Sequence, residues 1–540
     1  MALTVGSLFV PRLLPCVDYP EHLALADVAR RLLSPTAPEH ALFEVNLFTY
    51  YGLVHLVLAV LSLAMPIELA GKLLLGSALA LTAWSVRRLL VRLGRPPAYA
   101  GLFIPMLFAF SASWGFLNYL VALAIAFAAI AELAAHARRP TVRSAVSVAV
   151  LSLLCAMTHP FAMLVLWVFS AALALELAVR EALTKTGPGV RAAAVHGGLS
   201  FAPTLAGGLW CAVVYFDHYR TQPQLADTRD PVFWDKFARF SVYATDLHAD
   251  RTDAPIVYAT LVAMAAIVAL SLGVAVFHRY GTRAERGAVD RKLANDPPEP
   301  RGPSSHAVVL PFVTMLACYL AMPMVFMGSQ LMFPRLVPAL YLGALIALPR
   351  IDQPIVARLA GASCLAVAWW SAINLNAHLR QYGEETDDAS RMIDALPAGR
   401  RASAVVYRDF TDAFWRGGML HLAAWYAARK HGDWAYAFAR YEYMPVRYRE
   451  GRAPEWPEHG WEFAPQQYDA RSPYARAYDL VLVKTPENVD PLEDEAEVRA
   501  RVFGGDAATP RLLSHFGLYW AFDTAGIPSP PKPRSTLPRR

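Results

Sequence analysis

A series of apolar segments along most of the chain constrains its fold more than any other feature. The segments lie at 53–84 (with a break at Pro66), 99–113, 116–135, 144–158, 160–178, 197–216, 255–277, 306–327, 336–349 and 356–375. Most approach the ~20 residues that a helix needs to cross a bilayer. Only 17% of the residues are charged, against about 25% in soluble domains. With a shorter run at 2–15, the pattern predicts an α-helical polytopic membrane protein of about 11 transmembrane helices.

Clusters of basic residues between the spans predict how the chain is oriented. They follow the second, fourth, sixth, eighth and tenth spans, counting 2–15 as the first: Arg87, Arg88, Arg92, Arg95; Arg138, Arg139, Arg143; Arg180, Lys185, Arg191; Arg279, Arg283, Arg286, Arg291, Lys292; and Arg350. Cytoplasmic loops carry an excess of Lys and Arg. The loop at 217–254 is rich in aspartate and falls on the other side. We therefore expect the first loop, 16–52, and everything after about 376 to face the outside.

The first run and the segment after it form the start of the chain. Residues 2–15 would cover about 21 Å of a ~30 Å hydrocarbon core. We expect a truncated or mis-assigned start and a complete first helix that ends near Pro15. Residues 21–33 have apolar residues at helical spacing, which predicts an amphipathic juxtamembrane helix that lies in the interface.

Two acids and a histidine follow the first run within five positions. If Asp18 begins a helix, Asp18, Glu21 and His22 stand at i, i+3 and i+4 and share one face. Such a set of side chains at a membrane–water boundary is suited to proton-transfer catalysis. Asp-x-x-Glu ahead of an apolar run is also a capping-box pattern, with Asp18 as N-cap and Glu21 at N3. Both hypotheses can hold at once, and capping explains Glu21 better than catalysis does.

The part of the chain after the last span has a different pattern. Short apolar runs at 402–407 and 478–484 predict strands, and 419–430 and 493–502 predict helices. We therefore expect a transmembrane catalytic domain at 1–375 and a small extracytoplasmic α/β domain at 376–527. The Pro- and Arg-rich tail, 528–540, is predicted to be disordered.

Polar residues inside or beside spans are functional candidates, because a polar group in the bilayer is costly unless it is paired. Arg335 can clamp a phosphate bidentately or can simply snorkel to the interface. The other candidates for substrate binding are His159, Asn118, Tyr50, Tyr51 and His55. The structural alternatives are an incidental turn residue for His159, aromatic-belt residues for Trp114 and Tyr119 on either side of Asn118, and a hydrogen-bonded helix residue for His55.

Several classes of cofactor and partner have no signature in the sequence. It has no Gly-rich phosphate loop, so cytosolic nucleotides are not expected as direct substrates, and its net charge of +6 is no sign of nucleic-acid binding. The five cysteines show no C-x-x-C spacing, and no metal ligands are predicted. Asp217, His218 and the aspartates after them leave a divalent cation open, although they match no loop motif.

The chain resembles the GT-C superfamily of integral-membrane glycosyltransferases. The shared features are about 11 spans, an acidic motif directly after the first helix, an amphipathic helix behind it and a C-terminal outer domain. Gly115-Phe116-Leu117-Asn118-Tyr119 also looks like an element of bacterial members. Asp18 stands at the position of the family's catalytic aspartate, although Asp-Tyr-Pro-Glu-His replaces the Asp-Glu pair of many members.

The resemblance implies an inverting transfer of a sugar from a polyprenyl-phosphate donor to an acceptor hydroxyl, in the bacterial cytoplasmic membrane. Asp18 would be the general base, and Arg335 would stabilise the departing phosphate. The partners would be the lipid-linked donor, membrane lipid and an acceptor glycan, lipid or protein. The alternatives are a lipid-linked glycan ligase or polymerase, a transporter or flippase, and a non-catalytic scaffold. A transporter would show a repeat between halves, which the sequence lacks.

Overall fold

The computed structural model describes residues 1–183, 189–215, 233–245, 247–280, 308–325, 329–351, 353–454, 460–486, 495–504 and 510–524. The chain divides into two compact units. The first unit comprises Met1–Phe9, Phe48–Val54 and Leu73–His378. The second comprises Val10–Leu47, His55–Lys72 and Leu379–Arg540. Each unit is therefore assembled from separate parts of the chain, and residues around Asp18 belong to the same unit as the C-terminal region.

The described residues form 18 α-helices. They are α1 (Ala2–Ser7), α2 (Tyr19–Arg31), α3 (Gly52–Leu61), α4 (Ile67–Arg92), α5 (Phe110–Ser113), α6 (Leu117–His136), α7 (Val142–Ala156), α8 (Pro160–Ala182), α9 (Gly189–Phe201), α10 (Leu205–Val214), α11 (Phe233–Ala238), α12 (Phe240–Ala244), α13 (Asp253–Tyr280), α14 (Leu310–Ala321), α15 (Val337–Ala347), α16 (Pro354–Ala395), α17 (Leu422–Lys430) and α18 (Glu495–Phe503).

Six helical segments are long and apolar enough to cross a membrane: Ile67–Arg92, Leu117–His136, Pro160–Arg180, Ala194–Val214, Asp253–Val274 and Pro354–Ala395. The most apolar stretches of the last two are only 28% and 22% buried within the protein. Large apolar faces of this kind are stable against lipid rather than water. The prediction of a helical multi-pass membrane protein is therefore confirmed. Four further apolar helical segments are shorter than 18 residues, and the total of about 11 spans stays a prediction.

Prolines explain several differences between the predicted and observed spans. Pro66 separates α3 from α4, so 53–84 is two helices. The predicted span at 99–113 is a 3₁₀ helix, Pro97–Met106, with Pro105 inside it, followed by the single turn of α5. The first run, which contains Pro11 and Pro15, is helical only at Ala2–Ser7. In contrast, α16 continues about 20 residues past the predicted end, to Ala395.

The second unit contains the α/β structure that the sequence predicts. Its strands are β1 (Phe43–Val45), β2 (Arg401–Val406), β3 (Asp433–Trp434), β4 (Val446–Tyr448), β5 (Leu480–Lys484), β6 (Arg511–Phe516) and β7 (Tyr519–Asp523). Five of them form a mixed sheet in the order β3-β2-β5-β7-β6, in which β2 runs parallel to β3 and β5. One face packs on α18 through a core that includes Val405, Val483, Val498 and Phe522. The predicted strands and both predicted helices are confirmed, within a few residues.

The amphipathic pattern of α2 predicts an apolar face at the membrane interface. In the structure this helix is covered by protein. Every residue from Tyr19 to Val28 is buried, and the helix packs against α17 of the same unit. Gly71 makes room for this packing, because a side chain there would collide with Tyr19. The polar residues of α2 also point into protein: Asp27 lies 3.0 Å from Arg31 and 2.9 Å from His431. The apolar residues of α2 are thus covered by protein, and its position at the membrane interface stays a prediction.

Candidate active site

Asp18 is the residue directly before α2, but it does not cap the helix. Its backbone is in the right-handed helical region, φ −83° and ψ −5°, and its side chain makes no capping hydrogen bond. Glu21 does not turn back to the N-cap either. Its two oxygens accept hydrogen bonds from Trp434 Nε1 at 2.7 Å and from the backbone N–H of Phe438 at 3.0 Å. The capping-box hypothesis is therefore wrong, and both carboxylates are available for other contacts.

His421, the N-cap residue of α17, collects three carboxyl groups around its imidazole. Its Nδ1 lies 2.9 Å from Glu462 Oε1 and 3.6 Å from Glu21 Oε1, and its Nε2 lies 3.4 Å from Asp18 Oδ1. The side chain of Asp18 is 21% exposed, that of Glu462 11%, and that of Glu21 is fully buried. Asp18 is therefore the carboxylate that a molecule outside the protein reaches most easily.

The electrostatics of this cluster assign a charge to each buried group. Burial disfavours a charged His421, but Glu462, Asp18 and Glu21 outweigh burial and hold the pKa of His421 well above 6.5. Burial raises the pKa of Glu21 to about 8, although His421, Phe438 and Trp434 counteract it. At neutral pH His421 is thus an imidazolium and Glu21 is mostly protonated. The positive charge of His421 is left to balance Asp18 and Glu462.

His22 faces away from this array, toward a second histidine. Its Nδ1 lies 3.3 Å from Nε2 of His55, and the two rings meet edge to face at 5.3 Å. Burial, His55 and His421 all lower the pKa of His22 well below 6.5, so it is neutral. The structure therefore brings Asp18 and Glu21 to one imidazole, as their shared helix face predicts, and pairs His22 with the candidate His55 instead.

A different group of predicted site residues lies together in the first unit, around Arg335. The guanidinium of Arg335 stacks 3.9 Å above the ring of Phe116, and its Nη2 donates to the backbone oxygen of Gln330 at 3.0 Å. Tyr119 donates its hydroxyl proton to the backbone oxygen of Arg335. Arg335 is only 8% exposed. These contacts fix the guanidinium against the Gly115–Tyr119 element, so the snorkelling alternative does not describe it.

The hydrogen bonds of His159 place a second donor beside Arg335. The backbone N–H of Phe161 donates to Nδ1 of His159 at 3.1 Å, so the ring proton belongs on Nε2. That Nε2 lies 3.3 Å from Nη1 of Arg335, which can only donate. Two donors that approach each other in this way are best accommodated by a shared anionic oxygen. The arrangement is suited to a phosphate, the ligand that the sequence predicts for Arg335.

The other predicted binding residues have different surroundings. Tyr51 meets the ring of His159 edge to face at 5.3 Å. Tyr50 donates its hydroxyl proton to the backbone oxygen of Cys211 at 2.9 Å, which is a structural contact. Asn118 is 2% exposed, and neither atom of its amide has a hydrogen-bond partner among the described residues. Asp217 and His218, the predicted cation candidates, lie outside the described residues.

Sequence reasoning missed His421, Glu462 and Trp434, which complete the surroundings of Asp18 and Glu21. They lie about 400 residues further along the chain, in loops or at element ends without a motif. The only available signal was physical: a carboxylate beside an apolar run needs a partner when it is buried. That signal predicts a partner for Glu21 but does not say which residue supplies it.

No protein-family model and no curated protein matches this chain. Two solved structures are similar to it along its length, both of ArnT from Cupriavidus metallidurans. The structure of ArnT bound to undecaprenyl phosphate aligns over 98% of this chain and 97% of ArnT, with 11% identity and a TM-score of 0.48. The apo structure covers the same shares, with 11% identity and a TM-score of 0.45. No residue role is transferred from these structures to this chain.

Proposed function

We propose that this protein is a membrane glycosyltransferase that moves a sugar from a polyprenyl-phosphate donor to an acceptor hydroxyl on the outer face of a bacterial cytoplasmic membrane. The observation that carries the proposal is the array of Asp18, His421 and Glu462. A partly exposed carboxylate lies against a buried imidazolium, which a second carboxylate holds at 2.9 Å. This is the arrangement of an oriented general base rather than of a structural ion pair.

In the proposed reaction, Asp18 accepts the proton of the acceptor hydroxyl as its oxygen attacks the anomeric carbon. The bond from that carbon to the phosphate oxygen breaks, and the lipid phosphate leaves with the bonding electrons. Direct attack inverts the configuration at the anomeric carbon. His421 keeps the carboxylate of Asp18 oriented, and a base positioned in this way contributes about 10²–10⁴-fold to the rate.

The departing phosphate needs positive charge or hydrogen-bond donors to stabilise it. In the first unit, taken by itself, Arg335 and Nε2–H of His159 are donors suited to a phosphate group, and we propose that they bind a lipid phosphate. The stacking of Arg335 on Phe116 holds the guanidinium in one orientation before the ligand binds. Preorganised donors cost little reorganisation when charge develops, which is the main source of electrostatic catalysis.

The Asp18→Asn variant tests the proposal, because asparagine has nearly the same shape but cannot accept the proton. The purified full-length protein is incubated with vesicles made from the total lipids and membranes of the producing cells. Free polyprenyl phosphate is quantified by mass spectrometry, so the identity of the sugar need not be known. Asp412→Asn is the matched control, since Asp412 belongs to the same unit, is 59% exposed and pairs with Arg408.

We expect the wild type and Asp412→Asn to release polyprenyl phosphate at similar rates, and Asp18→Asn to be slower by about 10²–10⁴-fold. The assignment is wrong if Asp18→Asn keeps the rate of the control while its thermal midpoint is unchanged. It is also wrong if the wild type releases no polyprenyl phosphate from these lipids.

A further inference from the structure

A second cluster of titratable groups lies in the first unit and takes no part in the reaction proposed above. It consists of His248 and Asp250, just before α13, and His378 on α16. One ligand-capable atom of each residue lies within 4.8 Å of the others. Nε2 of His378 is 3.2 Å from Oδ1 of Asp250, and the two imidazole rings stack in parallel at 3.6 Å. The fold thus brings together two histidines that are about 130 residues apart in the chain, with a carboxylate beside them.

The hydrogen bond of His378 fixes which of its nitrogens carries the proton. Nδ1 lies 2.9 Å from the backbone oxygen of Asn374, and a carbonyl oxygen only accepts. The proton therefore belongs on Nδ1, and in the neutral ring Nε2 has a lone pair. That lone pair faces an oxygen of Asp250 at 3.2 Å. Two acceptors at this distance require a proton or a cation between them.

The hydrogen bonds of Thr252 likewise determine which nitrogen of His248 carries the proton. The hydroxyl of Thr252 donates its only proton to Oδ1 of Asp250 at 2.8 Å and accepts from the amide of Asn374 at 3.0 Å. Nδ1 of His248 lies 3.3 Å from this hydroxyl and must therefore donate to it. Nε2 of His248 is left with its lone pair. Both histidines thus have Nδ1 tied to an acceptor, which is how metal-ligating histidines are usually oriented by their surroundings.

The two imidazoles of this cluster are buried and its carboxylate is not. His248 and His378 are 3% and 8% exposed, whereas the side chain of Asp250 is 53% exposed. The exposed side of Asp250 leaves a path by which an ion can enter and a water can complete its coordination.

We propose that His248, Asp250 and His378 bind a divalent transition-metal ion, zinc in the first place, with water as the fourth ligand. Two imidazoles and one carboxylate are a common zinc-binding set, whereas Mg²⁺ and Ca²⁺ prefer oxygen ligands alone. Ligand atoms about 2.1 Å from zinc lie roughly 3.4 Å apart in a tetrahedron. The ligand atoms of the three side chains lie within 4.8 Å of one another, and those of Asp250 and His378 are already 3.2 Å apart.

Metal binding by the purified, tag-free, full-length protein tests this proposal without any need for activity. The protein is stripped with a chelator, titrated with ZnCl₂ or MgCl₂, and its metal content is measured by elemental analysis after gel filtration. Titration with CoCl₂ gives a second readout, because tetrahedral Co²⁺ with nitrogen ligands absorbs in the visible range. The variants are His248→Gln, His378→Gln and Thr252→Val. The control is His136→Gln, since His136 is also a buried histidine bonded to a hydroxyl, that of Ser144.

We expect about one zinc per chain in the wild type and in His136→Gln, and no retained magnesium. His248→Gln and His378→Gln should lose the bound zinc and the Co²⁺ absorption. Thr252→Val, which removes the hydroxyl that is hydrogen-bonded to both His248 and Asp250, should weaken zinc binding by about 10- to 100-fold. Circular dichroism identifies any variant that fails to fold, and Thr252→Val then decides. The proposal is overturned if the wild type retains no stoichiometric zinc, or if the zinc content is the same in all five proteins.

Discussion

Replacement of His421 by glutamine should reveal how much the imidazolium stabilises the acidic cluster. In the wild type this one side chain faces Glu462 at 2.9 Å, Asp18 at 3.4 Å and Glu21 at 3.6 Å, and it is 6% exposed. Glutamine keeps the size and a hydrogen-bond donor but carries no charge. Removal of one partner from a buried ion pair costs about 3–5 kcal/mol, because the remaining charges lose their compensation. We expect His421→Gln to be destabilised by this amount.

The loss can be read as a shift of the thermal midpoint of the detergent-solubilised protein. For a unit of roughly 200 residues, each kcal/mol lowers the midpoint by about 2–4 °C, so His421→Gln should lose between about 6 and 20 °C. The thermal midpoints of the wild type and the variant should be compared at pH 6. The raised pKa of His421 contributes stability that is fully present below 6.5, its value in the unfolded chain, and is lost as the pH rises through the folded value. The difference in thermal midpoint between the wild type and His421→Gln should therefore become smaller in alkaline buffer.

The double variant His421→Gln/Glu462→Gln distinguishes lost charge balance from lost packing. Once Glu462 is neutral as well, fewer uncompensated charges remain, and about 0.5–3 kcal/mol of the loss should be recovered. The reasoning is refuted if His421→Gln changes the midpoint at pH 6 by less than about 2 °C. It is equally refuted if the double variant is destabilised by the sum of the losses of His421→Gln and Glu462→Gln.

Two further variants address single groups. Burial raises the pKa of Glu21 to about 8 from 4.5, so folding retains a proton and stability should fall as the pH rises between these values, by at most about 1.4 kcal/mol per pH unit. Midpoints measured from pH 5 to pH 8 should show that slope in the wild type and a smaller one in Glu21→Gln, and equal slopes would contradict the protonated state of Glu21. Arg335→Lys should bind undecaprenyl phosphate in nanodiscs about 10- to 100-fold more weakly by native mass spectrometry, because lysine cannot reproduce the stacked, forked guanidinium. Arg239→Lys, at an exposed arginine of the same unit, is the control, and equal affinities would remove Arg335 from the phosphate site.

The helical membrane class follows from the sequence because it depends on local quantities. Lengths of apolar runs, prolines and basic clusters act within about 20 residues, and they predict α6, α8 and α13 closely. The strands at Arg401–Val406 and Leu480–Lys484 are predicted for the same reason, since each lies in a short apolar run that contains valines. The structure of 99–113 was predicted wrongly, because hydropathy alone does not register the effect of Pro105 on helix geometry.

The burial of α2 could not be predicted, since its amphipathic pattern fits an interface and a protein surface equally well. What decides is a partner helix, α17, which begins about 390 residues further along. The residues on either side of α17 are His421 and His431, which neutralise acids on or before α2. Local sequence therefore identifies which groups need compensation, whereas long-range packing determines which residues provide it.

The charge balance around His421 also explains why Asp18, rather than Glu21, is the better candidate for the base. Glu21 is fully buried, is held by Trp434 and Phe438, and is mostly protonated at neutral pH because burial raises its pKa to about 8. A group that already holds a proton and has no exposed surface cannot take one from a hydroxyl outside. Asp18 is reached from outside and lies beside an imidazolium that needs a negative partner.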